Sequence, residues 1–198
     1  MSTLSGAKKN RIHPKMFLLW LGIGSIIMMF AGLTSAYIVR EAAGNWVYFK
    51  LPDLFNISTL VVILSSITLV LASKSIKKQN QKAYRNWLGL TLILGIAFLI
   101  LQYEGWKELT RTGILLNGNP SGSFLYVISG IHALHILGGV LFLLIFFIKS
   151  LFKPNPVQEL LDEINPDKYL NIGLLSVYWH FVDVLWIYLF AFFLSFQQ

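Results

Sequence analysis

Five long apolar runs constrain this chain more than any other feature: Met16–Val39, Leu54–Ser73, Tyr84–Tyr103, Phe124–Ile148 and Leu170–Phe196. A helix that crosses a bilayer needs roughly 20 mostly apolar residues, and each run has that length. A segment in hydrocarbon must satisfy its own backbone polar groups, which leaves only helices or closed barrels. The shorter, strictly alternating segments of a barrel are absent. The sequence therefore predicts an all-α fold, an integral membrane bundle of five transmembrane helices. The first run far exceeds the ~7–15 apolar residues of a signal peptide, and no clear small-x-small cleavage site closes it. It is expected to remain in the mature protein.

Composition excludes the alternatives. Hydrophobic residues make up 56% of the 198 residues and charged residues 13%, about half the usual ~25% for soluble domains. So little charge cannot cover a water-soluble monomer, and so many aliphatic and aromatic residues exclude disorder. There is no cysteine, which removes disulfide scaffolds, thiolate nucleophiles, iron–sulfur clusters and Cys-ligated metals. The net charge of +7 could suggest nucleic acid, but in so apolar a chain it reflects charge sorting across a membrane. Of 16 Lys and Arg residues, 12 fall in the N-terminal arm, the second loop and the fourth loop. Arg40, Lys50, Lys107 and Arg111 lie on the opposite side. The positive-inside rule then places the N-terminus in the cytoplasm and the C-terminus in the periplasm.

The connections carry their own signals. Asn117-Gly118-Asn119-Pro120-Ser121-Gly122 is a dense turn cluster, with Ser123 expected to cap the fourth helix. After Pro156, the residues Val157, Leu160, Leu161 and Ile164 recur at helical spacing, opposite Glu159, Asp162 and Glu163. Asn165-Pro166 ends that stretch, which reads as a short amphipathic surface helix or an ordered loop. No internal repeat or low-complexity tract is present, and residues 1–198 read as a single transmembrane domain.

Helices in a bilayer associate through small residues and polar contacts, because lipid tails are as apolar as leucine. Gly22, Ser25, Met29, Gly32 and Ala36 form such a seam on the first helix, spaced 3-4-3-4. On the fifth helix Gly173, Ser176, His180, Asp183 and Ile187 share a face. The rest of that helix is crowded with Trp179, Phe181, Trp186, Phe190 and Phe193, a density that signals packing or lipid contact.

Asp183 is the one acidic residue deep within a run. At mid-bilayer it costs several kcal/mol (~2.5–3.5 on insertion scales), so it should face the bundle interior and find a partner. His180 precedes it by one turn; His132, His135 and Gly139 share a face of the fourth helix. At ~1.5 Å per residue both polar pairs fall near mid-membrane, so they could meet. Such a set can serve as a metal or bis-His haem site, a proton relay, or a structural hydrogen-bond network. The His-x-x-His spacing alone does not choose among them. No HExxH or carboxylate-rich pattern supports hydrolytic metal chemistry. Gln102 and Glu104 close the third run, where Glu104 reads first as a solvated end residue paired with Lys107 and second as a buried functional carboxylate.

The run Tyr178-Trp179-His180-Phe181-Val182-Asp183-Val184-Leu185-Trp186 resembles the signature of subunit III of haem–copper terminal oxidases. Gly130-Ile131-His132-Ala133-Leu134-His135, continued by Gly139, is similar to that family's G-x-H-x-x-H-x-x-x-G pattern. Phe30-Ala31-Gly32-Leu33 with Ala36-Tyr37, and the polar set Asn56, Thr59, Ser65, Ser66 and Thr68, agree in order. The resemblance covers about Met16 to Phe196 and matches the five-helix bacterial form. Three positions depart from it. Ile26 follows Ser25 where many members carry glutamate, Leu51 stands where a glutamate is common, and Gly105 replaces an acid after Gln102.

The resemblance implies a non-redox subunit of a cytochrome c oxidase, in the bacterial inner membrane, with no cofactor of its own. Haem and copper would belong to subunits I and II. The chain would pack chiefly on subunit I, bind phospholipid, stabilise the catalytic subunit and support proton uptake. Subunit IV or a larger respiratory supercomplex would be further partners, and nucleic acid would not. Under it, His132, His135, His180 and Asp183 become a structural polar network. The matching subunit of a quinol oxidase, or a protein accompanying nitric oxide reductase, stands close by. A small membrane haem protein or a proton-coupled carrier is the reading from another class.

Overall fold

A computed structural model describes residues 13–152 and 169–196, and these form five helices. They are α1 (Pro14–Ala42), α2 (Leu54–Lys77), α3 (Gln81–Arg111), α4 (Pro120–Leu151) and α5 (Leu170–Ser195). All five are long and apolar enough to cross a membrane. The stretch from Pro156 to Ile164, read above as an amphipathic helix, lies outside the described residues.

The first four helices run past the expected ends, because helical hydrogen bonding continues beyond the apolar core until a cap stops it. Asn80 caps α3, its Oδ1 accepting from the Ala83 N–H at 3.1 Å. At α4 the cap is Asn119 rather than the expected Ser123: its Oδ1 accepts from the Ser121 N–H at 3.1 Å, and Pro120 takes the first helical position. Proline suits that place, since its missing N–H would have no partner there anyway. Ser123 instead bonds back to the carbonyls of Leu116 and Asn119.

Helices α2, α3, α4 and α5 contact one another in a closed ring, and α1 leans on α4 and α5. The centre of the ring is filled by Trp179 of α5, 1% exposed. Its indole enters two notches: a Cβ on Gly95 of α3 would lie 2.8 Å from that ring, and one on Gly139 of α4 2.9 Å. Both distances are below any that real side chains adopt, so glycine is required for the helices to close on the indole. Gly105 makes the same accommodation for Phe55, whose ring would stand 2.5 Å from an added Cβ. Any larger side chain at that place, an acid included, would meet the same ring.

The small-residue seam of α1 does not join the bundle. Gly22, Ser25, Met29, Gly32 and Ala36 are exposed, and a Cβ on Gly22 or Gly32 would meet nothing within 4 Å. The face turned inward carries Ile23, Phe30, Thr34 and Tyr37, all buried; Phe30 meets His132 and His135 of α4, and Tyr37 meets Phe124 of α4 and Phe192 of α5. Gly173 is likewise open, and Ser176 is only partly buried. Among the glycines expected to pack helices, Gly139 does so within this chain.

Candidate functional site

Asp183 is 2% exposed and lies at the middle of α5. The turn of α5 directs it toward α2, where two adjacent serines receive it. Ser66 Oγ donates to Asp183 Oδ2 at 2.6 Å, and Ser65 Oγ stands 3.3 Å from the same oxygen. Ser65 also donates to the Val62 carbonyl at 2.8 Å and accepts from Trp179 Nε1 at 3.1 Å. His180, one turn before Asp183, places Nδ1 2.9 Å from Ser66 Oγ. His180, Ser66 and Asp183 thus form a continuous hydrogen-bonded chain at mid-span, leading from a partly exposed imidazole to a buried carboxyl.

The polar residues of α2 supply most of these links. Thr68 pairs with Thr91 of α3 at 2.8 Å. Ser58 accepts from Gln102 Nε2 of α3 at 3.1 Å, and Thr59 accepts from Trp186 Nε1 of α5 at 3.0 Å. Asn56 of the same set is exposed. A hydroxyl in a helix can bond back to its own backbone and still accept a bond from a neighbour. Helix α2 therefore carries several short polar groups into the membrane and leaves their oxygens available to α3 and α5.

The two polar pairs, which their depth would allow to meet, share no hydrogen bond. His132 is fully buried, but it is surrounded by rings: it stacks on Trp186 with centroids 5.3 Å apart and meets the edges of Phe98 and Phe30 at 5.9 and 6.3 Å. Neither of its ring nitrogens has a hydrogen-bond partner. His135 turns Nδ1 to the Ile131 carbonyl of its own helix at 2.8 Å, while its carbonyl accepts from Tyr178 at 2.9 Å. The cause is the direction each residue takes from α5. Asp183 meets the serines of α2, whereas Trp186, three residues on, spans from Phe55 and Thr59 of α2 to Phe98 of α3 and occupies the place beside His132.

Among the described residues no group of three or more His, Asp or Glu side chains could hold a metal ion. Gln102 is buried and bonded to α2, while Glu104 is exposed and pairs with Lys107 at 2.7 Å. Ser25 bonds to the Gly22 carbonyl of its own helix at 2.9 Å. Beside the ring, α1, α4 and α5 enclose an apolar groove of about 540 Å³, lined by residues such as Leu18, Phe142 and Tyr178, with Lys149 and Asn171 among its few polar members.

Sequence reasoning singled out Asp183 and His180 but not their partners, which it knew only as polar residues of a resembling helix. It also missed Trp179 and Gly95 as an interlocking pair. A doubled serine inside an apolar run was the available signal for the first. For the second it was a tryptophan one turn before a buried acid.

A family model described as "Cytochrome c oxidase subunit III" matches residues 48–197. The "Probable cytochrome c oxidase subunit 3" of Nocardia farcinica is 30% identical, over 96% of this chain and 95% of the relative. The protein of the same description from Mycobacterium leprae is 31% identical over the same shares. The "Cytochrome c oxidase subunit 3" of Bacillus subtilis is 29% identical over 87% of this chain and 81% of its own length. The family model spans α2 to α5, including the stretch that holds His180 and Asp183, and the first two relatives cover nearly the whole chain; the chain belongs to the cytochrome c oxidase subunit III family.

Proposed function

We propose that this chain is the non-catalytic subunit III of an O2-reducing, proton-translocating terminal oxidase in a bacterial cytoplasmic membrane. Its N-terminus faces the cytoplasm and its C-terminus the periplasm. It stabilises the catalytic subunit, supports proton uptake there and holds phospholipid, while haem and copper reside in subunits I and II. Cytochrome c is the electron donor of the complex, in keeping with the names of the relatives.

The observation that carries this reading is the α2–α5 clamp. Asp183, Ser65, Ser66, Trp179 and His180 bond to one another across helices, which is what a framework subunit needs of its intramembrane polar groups. The α1–α4–α5 groove supports the lipid part, for it is apolar along its length and has a lysine on its wall to face a phosphate. The basic side of the chain supports the orientation: Lys74, Lys77, Lys78, Lys82 and Arg85 gather at the α2–α3 turn, all exposed.

Affinity purification from native membranes in mild detergent tests the reading. A larger haem-containing subunit is expected to accompany the chain, and the chain stripped from that subunit is expected to show no haem spectrum of its own. Recovery of the chain alone, or stoichiometric haem on the isolated chain, would refute it.

A further inference from the structure

We infer that the α2–α5 face around His180 docks a transmembrane helix of a partner subunit, one that presents a hydroxyl or amide side chain to His180 Nε2 at mid-membrane depth. The inference rests on the reading of this chain as a subunit of a membrane complex.

The starting point is the depth of His180. It lies ten residues into α5, about 15 Å from that helix's start, and its partner Ser66 lies twelve residues into α2. Both are partly exposed. The flanking surface is apolar: Ile63 and Val70, one turn to either side of Ser66, are 42% and 37% exposed, and Val184, one turn beyond His180, is 63% exposed. An imidazole edge thus emerges at mid-span in a surface otherwise suited to hydrocarbon.

Hydrogen bonding fixes which edge emerges. Nδ1 is engaged by Ser66 Oγ at 2.9 Å, and Ser66 is engaged by Asp183 at 2.6 Å. The chain can run with the proton order in either sense, and in both cases Nδ1 is taken. Nε2, on the far side of the ring, makes no hydrogen bond among the described residues. Lipid tails offer it neither donor nor acceptor, and a polar atom left so in hydrocarbon is costly. A hydroxyl or amide on a facing helix satisfies Nε2 in either proton order, because each group both donates and accepts. Acyl chains cannot do so. Intramembrane histidines face a bundle interior or a cavity, and here the missing wall of that interior is the partner.

The chain has no cysteine, so single cysteines report one face at a time. Val184→Cys on this face and Leu134→Cys on α4, 66% exposed, are cross-linked in native membranes with a short bifunctional or photoactivated reagent. The expected product joins Val184→Cys, but not Leu134→Cys, to the large subunit. In parallel, His180→Gln keeps a donor and an acceptor on one amide, whereas His180→Phe keeps neither. Co-purification of the large subunit is expected to fall roughly fivefold with His180→Phe, the factor one interhelical hydrogen bond carries, and to be largely restored with His180→Gln.

Cross-links from Leu134→Cys alone overturn the inference while leaving the chain a subunit. So do cross-links from Val184→Cys only to a second copy of this chain, or to lipid. Equal losses for the two His180 variants overturn it as well, since packing and not hydrogen bonding would then be responsible. Failure of the wild-type chain to bring down any large subunit instead defeats the underlying reading.

Discussion

Ser66 Oγ and Asp183 Oδ2 stand 2.6 Å apart, joining the middle of α2 to the middle of α5. The contact is buried on the Asp183 side and continues through Ser66 to His180. A carboxyl that is costly in hydrocarbon becomes tolerable here because one helix offers hydroxyls where the other places its acid. Removal of either side should therefore be felt, and unequally. Asp183→Leu is expected to lower stability by about 1–3 kcal/mol, as for loss of a buried hydrogen-bonded group, with Asp183→Asn closer to wild type. Ser66→Ala should fall between them. Thermal unfolding of the purified chain in one detergent orders the three variants, and a Leu variant as stable as Asn would deny the clamp its role.

Trp179 offers a second test, because the glycine notches around it leave no slack. Gly139→Ala puts a methyl group 2.9 Å from the indole and should cost about 1–3 kcal/mol by overpacking. Trp179→Phe removes the obstructing ring but also the bond to Ser65. The double variant should be less destabilised than the sum of the two singles, a coupling readable in a double-mutant cycle. Strict additivity would mean that the ring and the glycine do not compete for space.

Glu104 and Lys107 make the opposite case. Their contact is short, 2.7 Å, but both side chains are nearly half exposed, at 46% and 43%. Exposed pairs are worth little, so Glu104→Gln should leave the unfolding midpoint close to that of the wild type. A large loss on calorimetry would show that Glu104 acts through more than this pair.

Outside the spans, Tyr48 donates to Glu41 Oε1 at 2.8 Å. That hydrogen bond, with smaller help from burial and from the carboxylate charge, raises the Tyr48 phenol above its ordinary value of 10.0. A raised value in the folded state means that the contribution of this bond is complete below the ordinary tyrosine range and fades as pH climbs through the folded value. Ultraviolet titration of the wild type against Tyr48→Phe isolates this phenol. Glu41→Gln should bring its ionisation to lower pH, and an unchanged midpoint would show that the bond does not form in solution.

The five spans were legible because hydrocarbon imposes one requirement on every residue of a run, and hydropathy reports it directly. The need of Asp183 for a partner was legible for the same reason. Which partner was not. Helical spacing shows that His180 shares a face with Asp183, but not whether that face turns toward α2 or α4. That choice was made by bulk: the rings of Trp186 and Trp179 fill the space against α3 and α4 while their indole N–H groups reach Thr59 and Ser65 of α2, whose small side chains leave room for the acid. The outward turn of Gly22 and Gly32 has the same origin, since Phe30 and Tyr37 on the opposite face find more to pack against within the chain. Small residues mark where a helix can approach closely. They do not say whose helix it is.

The most direct test is the oxidase complex isolated with Asp183→Leu in this chain, in which haem, copper, retention of the chain and turnovers before inactivation are measured together. A framework subunit requires haem and copper per catalytic subunit to stay at the wild-type level, while the retained chain and the number of turnovers fall. Loss of haem or copper from a complex that still holds the full amount of this chain would contradict it.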